Sequence, residues 1–290
     1  MTTKQGNPLN SGDQSPSGRT KHGGGTARRL FIFFAAVFCV SAIALAAVLL
    51  HMGKSRSDLR RLSQVVRENT PETTAPSIST DPAGPSEAPE TPQEPEPTQP
   101  EMLAKYVPLY EQNPDLFGWL KIDGTAIDYP VMHTPYDPER YLHADFEGDY
   151  SFAGLPFVDA ACDADSDNLL IYGHNMLDGS MFRSLMRYRD KTYWQAHPTI
   201  SFDTLYEEGE YEVLAAVYDR VYYQNEDCFK FYQFIDAEDE ADFDNAISYF
   251  KENALYDTGV TAAYGDRLIT LVTCAYHVQD GRFIVVARKK

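Results

Sequence analysis

Thr270-Leu271-Val272-Thr273-Cys274, with Arg282-Phe283-Ile284-Val285-Val286-Ala287 beginning eight residues after the cysteine, is the stretch on which the reading of this chain turns. Both runs are short, apolar and rich in β-branched residues, the composition of strands. Paired antiparallel, they set Cys274 almost opposite Arg282, with Cβ atoms roughly 4.5–5.5 Å apart for a directly facing pair. A thiol attacks only as thiolate, and a cation beside it favours that form. A lone cysteine in an apolar strand is more often a small buried residue. The pair by itself leaves packing and chemistry both open.

The rest of the chain narrows the choice. Of its 290 residues, 1–102 hold ten Lys/Arg and ten Asp/Glu, so the whole net charge of −18 falls on residues 103–290. So acidic a domain lacks the basic footprint that nucleic acid requires, and no nucleic-acid partner is expected. Cys39, Cys162, Cys228 and Cys274 form no CxxC pair and no dense framework. Spacing alone does not establish a Cys162–Cys228 bridge. A metal site on Cys274 and His277 needs two more suitably spaced ligands and none is evident, so neither a metal nor another cofactor is expected.

From Leu30 through Leu50 run 21 residues without a charge, with Ser41 the one clearly polar side chain. At 1.5 Å per residue a helix of that length spans a hydrocarbon core of about 30 Å. The run exceeds the 7–15 residues or so of a signal-peptide core, and bulky Leu49-Leu50-His51-Met52 follows it. An uncleaved membrane anchor is therefore expected at residues 30–50. Four Lys/Arg lie within fifteen residues on either side, so the positive-inside rule gives no orientation.

Residues 1–29 read as a polar tail. Leu59, Leu62, Val65 and Val66 recur at helical spacing beyond the anchor. Residues 69–101 hold nine prolines and no Lys or Arg, a composition that favours extended polyproline II over a packed core. Thirty such residues reach roughly 90 Å. A stalk that lifts a domain off a membrane suits a surface with a wall outside it, so residues 102–290 are expected outside the cell, with 1–29 cytoplasmic and 51–101 as juxtamembrane helix and stalk. Within 102–290, strands are expected at 119–122, 126–131, 155–158, 168–172, 199–205, 211–223, 267–273 and 282–287. Helices are expected at 103–110, 180–188 and 238–252. Asp123-Gly124 marks a hairpin between the first two strands. Many short strands with a few inserted helices point to a mainly β fold closed into a barrel.

A thiolate needs a proton carrier. Of seven histidines, His22 and His51 flank the apolar run, and His277 lies only three residues past Cys274, where it is hard to aim back. His133, His143 and His197 have no supporting pattern. His174 differs: it follows the strand Asn168-Leu169-Leu170-Ile171-Tyr172 and Gly173, a residue that permits a sharp turn, so it stands at a strand end where functional side chains gather.

Those residues carry a resemblance. Asn168 to Met176, Gly179-Ser180-Met181-Phe182, Leu185, Thr270 to Cys274 and Arg282 resemble a sortase. Asn113 to Trp119 and Ile122 to Pro130 are similar to the opening of class B sortase domains, and the likeness covers residues 103–290. It implies a sortase-type closed β-barrel of about eight strands, preceded by an N-terminal helix. His174, Cys274 and Arg282 would be its catalytic residues, and Asn175, Met181, Val272 and Thr273 its substrate contacts. Val272 departs from the serine that many class B members carry there. The activity implied is cysteine transpeptidation. The thiolate attacks the carbonyl after the threonine of a C-terminal sorting motif on a secreted protein, and an amine of the cell wall or its precursor resolves the thioester. His174 would serve as acid and base and Arg282 as electrostatic support, since a guanidinium is no base near neutrality.

A papain-like order, cysteine first and histidine later, is not met, because only His277 follows Cys274. A pilin-polymerising sortase and a non-catalytic stalked binding module with a sortase-like barrel remain as alternatives.

Overall fold

The computed structural model describes residues 24–71 and 101–290. The polar tail and most of the Pro-rich stretch lie outside the described residues. One helix, α1, runs Gly24–Glu68, and the chain divides into two compact units, Met1–Lys54 and Ser55–Lys290. In the first unit the apolar side chains of residues 30–50 are exposed along the helix. That helix is long and apolar enough to cross a membrane.

The second unit is a barrel of eight strands. They are β1 Leu116–Lys121, β2 Asp128–Met132, β3 Phe157–Val158, β4 Asn168–Tyr172, β5 Thr199–Thr204, β6 Glu210–Arg220, β7 Leu268–Cys274 and β8 Gly281–Lys289. Their order around the barrel is β1-β2-β3-β4-β7-β8-β6-β5, closed by β5 against β1. The pairs β2/β3 and β4/β7 are parallel and the others antiparallel. Each expected strand is present. The β1–β2 hairpin carries Gly124 in the left-handed region at φ 75°, as an Asp-Gly turn requires.

Side-chain alternation sorts β7 and β8 onto two cores. Ile269, Leu271, Phe283, Val285 and Ala287 fill the barrel interior. Leu268, Val272, Ile284 and Val286 face outward and are covered as well. Their cover is α4, Glu240–Glu252, whose Phe243, Ala246, Ile247 and Phe250 fall at i, i+3, i+4 and i+7 on one face. Asp239 caps it, accepting from the Asp242 backbone N–H at 2.9 Å, an arrangement that contributes about 1 kcal/mol. Coverage on both faces is why β7 is mostly apolar on both its faces, with Thr270 and Thr273 its two hydroxyl side chains.

Three local expectations change. The helix expected at 180–188 forms as a 3-10 helix over residues 182–189, and a short α3, Lys191–Ala196, follows it with Asp190 as its cap. The helix expected at 103–110 forms at Val107–Gln112 (α2), because Pro108 is accommodated only in a first turn. Cys162 is buried, Cys228 is exposed and both thiols are free. Finally, residues 55–68 of α1 belong with the barrel: Leu62 and Val66 are buried with Tyr106, Leu109, Leu116 and Trp119. Arg61 and Arg67 pair with Glu147 and Asp128.

Candidate active site

The topology delivers three distant residues to one place. In the parallel pair β4/β7, Tyr172 stands beside Val272. Two residues further along each strand direction are His174 and Cys274, so they arrive at the same level, with backbones about 4.8 Å apart by ordinary strand spacing. The ladder is extended past its end by the Gly173 N–H donating to Val272 O at 3.0 Å and the Thr273 hydroxyl donating to Gly173 O at 2.8 Å. On the other side of β7, Cys274 faces Arg282 in register, and Arg282 in turn faces Asp219 of β6. The facing pair expected from the hairpin is thus present. Cys274, Arg282 and Asp219 share the outer face of the barrel, and Asp219 is covered by α4, whose Tyr249 hydroxyl donates to it at 2.7 Å.

His174, Cys274 and Arg282 line one cleft of about 500 Å³, together with Val272, Thr273, Glu139, Leu142, Asp159 and Tyr172. All three are half-buried. Among the described residues no hydrogen bond or ion pair joins them. The Arg282 guanidinium donates to the backbone oxygens of Asp280 and Gly281, at 3.2 and 3.1 Å; among the described residues it makes no ion pair, although Asp219 stands in register with it on β6. His174 Nε2 donates to Leu142 O at 3.0 Å. A carbonyl can only accept, so Nε2 carries the proton in the neutral ring and Nδ1 is the free base. Burial lowers the pKa of His174 from its ordinary 6.5; the Leu142 carbonyl opposes this, and the nearby His143 adds to it. Neutral imidazole is therefore favoured near pH 7.

The four expected substrate contacts divide. Val272 and Thr273 line the cleft. Met181 does not: it is 1 % exposed in the barrel core, at φ 51°, because the chain turns inward after its bridge to Asn175. Asn175 is a strut, its amide donating to Cys274 O at 2.8 Å while Arg183 donates to its own oxygen at 3.1 Å. It holds the strand end that carries the thiol. Gly173 also has another reason than a turn. Its φ is not positive, but an added Cβ would lie 2.7 Å from the Phe182 ring, so glycine is there for close packing. Local sequence gave no signal for Leu142, whose carbonyl fixes the tautomer of a histidine 32 residues away. Nor did it for His143, whose ring stacks on His174 with centroids 5.4 Å apart.

Comparison with known proteins agrees with this fold. The family described as Sortase domain matches residues 120–290. Sortase B of Listeria monocytogenes is 37% identical over 183 residues, covering 61% of this chain and 70% of that protein. Sortase B of Staphylococcus aureus is 30% identical over 184 residues, covering 62% and 72%. Among solved structures, the Staphylococcus aureus sortase B–substrate complex superposes with a TM-score of 0.67 at 22% identity, over 83% of this chain and 98% of that one. Sortase B from B. anthracis gives a TM-score of 0.65 at 24% identity, over 83% and 98%. The chain belongs to the sortase family. Its resemblance within that family is to class B, and it is a cysteine transpeptidase of the sortase kind.

Proposed function

We propose that this protein is a membrane-anchored transpeptidase in which Cys274 is the nucleophile, His174 the proton carrier and Arg282 the electrostatic support, acting on secreted proteins with a C-terminal sorting motif. The observation that carries the reading is the juxtaposition of these three residues on adjacent strand ends, in one cleft, with a guanidinium that makes no ion pair among the described residues. His174 Nδ1 takes the Cys274 thiol proton, and the resulting thiolate attacks the carbonyl after the motif's threonine. A C–S bond forms, the peptide C–N bond breaks, and the leaving amine takes a proton from His174. Nδ1 is the site of that proton, since Nε2 is held by Leu142 O. An incoming amine of the wall or its precursor then gives its proton back to His174 as the new C–N bond forms and the thioester breaks. Arg282 stabilises the oxyanion in both steps. Residues 30–50 would hold the enzyme in the cell membrane, N-terminus cytoplasmic and barrel outside, where substrate and acceptor meet.

The test incubates residues 55–290 with a panel of sorting peptides and candidate amines. Mass spectrometry is expected to find a thioester on Cys274 that is transferred to amine, and neither species in C274A. A panel that yields no adduct on Cys274 would overturn the assignment.

A further inference from the structure

Outside the three residues above, one more side chain touches the reaction machinery. His143 projects from the segment between the 3-10 turn Arg140–Leu142 and the bridge Ala144–Tyr150. Its ring stacks on His174 at 5.4 Å with an interplanar angle of 28°, and on its other side it stacks on Tyr150 at 6.1 Å and 28°. The residue before it supplies the carbonyl that binds His174 Nε2. One short segment thus fixes His174 both by a hydrogen bond to the ring edge and by contact with the ring face.

We propose that His143 is a positioning residue for the transpeptidase: it holds the His174 ring in the stacked orientation and disfavours a second proton on it. The inference rests on His174 being the proton carrier. Two stacked imidazoles repel when both are charged, so a ring stacked on His174 disfavours the His174 cation. The depression of the His174 pKa, to which His143 contributes after burial, agrees in direction. Other ionisable groups around the pair are Glu139 and Arg140 on the same segment, Asp159 after β3, Cys274 on β7 and Arg282 on β8. Arg140 lies beside Asp115 at 3.7 Å. Asp159 accepts from the Tyr172 hydroxyl at 3.0 Å and from the Ala161 backbone at 3.0 Å. His143 is the group in ring contact with His174.

His143 is exposed, so its replacement does not threaten the fold. Two variants separate its two roles: H143F keeps a stacking ring and loses the proton, and H143A loses both. The measurements are the pH profile of kcat/KM and the NMR titration of the His174 imidazole, for wild type and both variants. In both variants His174 is expected to protonate at higher pH than in wild type. Activity at pH 5.5, relative to each protein's own plateau, is expected to drop about threefold. H143A is expected to lose about tenfold in plateau kcat with little change in KM, from the freed ring, and H143F to recover most of that loss. Identical His174 titrations in the three proteins would overturn the proposal. Absence of turnover in all three, wild type included, would instead defeat the catalytic reading, and the imidazole titration would still decide the part played by His143.

Discussion

Two cavities of the barrel unit have the same volume, about 500 Å³ each, and opposite chemistry. The first lies where residues 63–70 of α1 meet Lys105, Trp119 and β5. Its polar groups satisfy one another: Lys105 pairs with Asp203 at 2.9 Å and with Glu208, Tyr106 donates to Asp203 at 2.6 Å, and the Trp119 indole donates to Asp128 at 2.8 Å. Burial lowers the pKa of Lys105, but its bonds to Glu208 and Asp203 together outweigh this and leave it raised. In the second cavity, among the described residues, Arg282 bonds to backbone carbonyls and not to a carboxylate, and His174 bonds through one ring nitrogen. A cavity whose charges are spent on each other is a joint. One that sets a cation, a thiol and a base side by side without pairing them to each other suits the reaction proposed above.

The comparison can be broken at either cavity. The largest effect is expected at the site: R282A should lower kcat/KM by about 10²–10³ with the thermal midpoint little changed. R282K should recover only part of that, because an ammonium lacks the planar fork. Equal activity of R282A and wild type would mean that the free cation is incidental. At the joint, Leu62 is 1 % exposed, and L62A should cost about 3 kcal/mol of packing. Protease cleavage within residues 72–100 should leave 101–290 bound to the preceding helix in the wild type and release it more readily in L62A, as read by size exclusion of the nicked protein. Release from the wild type at once would show that the joint carries no binding.

A smaller effect is expected for K105M, which strands the Asp203 and Glu208 carboxylates. Since Glu208 is largely exposed, the loss should be about 2 kcal/mol in denaturant unfolding, with peptide turnover unaffected below the unfolding transition. The raised Lys105 pKa means that this stabilisation is fully present below the unfolded value of 10.5 and is lost as pH climbs through the folded one. The smallest effect is from His174. Its folded pKa lies below 6.5, so the unfolded chain binds the proton preferentially and stability declines as pH falls below about 6.5. H174Q should flatten that part of the stability–pH curve, and an unchanged slope would contradict the burial of the ring.

Most of the fold was legible because its signals are local. Residues 168–172 and 268–274 are apolar, β-branched runs bounded by breakers. The register of a hairpin follows from its short connection, so Cys274 opposite Arg282 could be read directly. Helix ends were less legible: Pro108 delays α2, and the run 182–189 tightens to a 3-10 helix. The stretch Leu59 to Val66 looked like a continuation of the anchor, yet its apolar face serves the barrel. Periodicity shows that a face is apolar and does not show what covers it. The settings of Met181 and Asn175 were hidden for the same reason. Their spacing from His174 was visible, but the inward turn at φ 51° and the bond to Cys274 O were not.

The sequence by itself determined the chemical types, the hairpin that pairs thiol with cation, the apolar run and the acidic character of the domain, since each depends on neighbours a few residues apart. Only the tertiary structure decided that β4 lies parallel to β7, which brings His174 level with Cys274 across 100 positions of chain. It alone placed Leu142 O and His143 on that imidazole and folded residues 55–68 onto the barrel. The reason is physical: parallel pairing, ring stacking and helix docking are contacts of long loops, and the residues that close such loops leave no periodic trace in the segments they join.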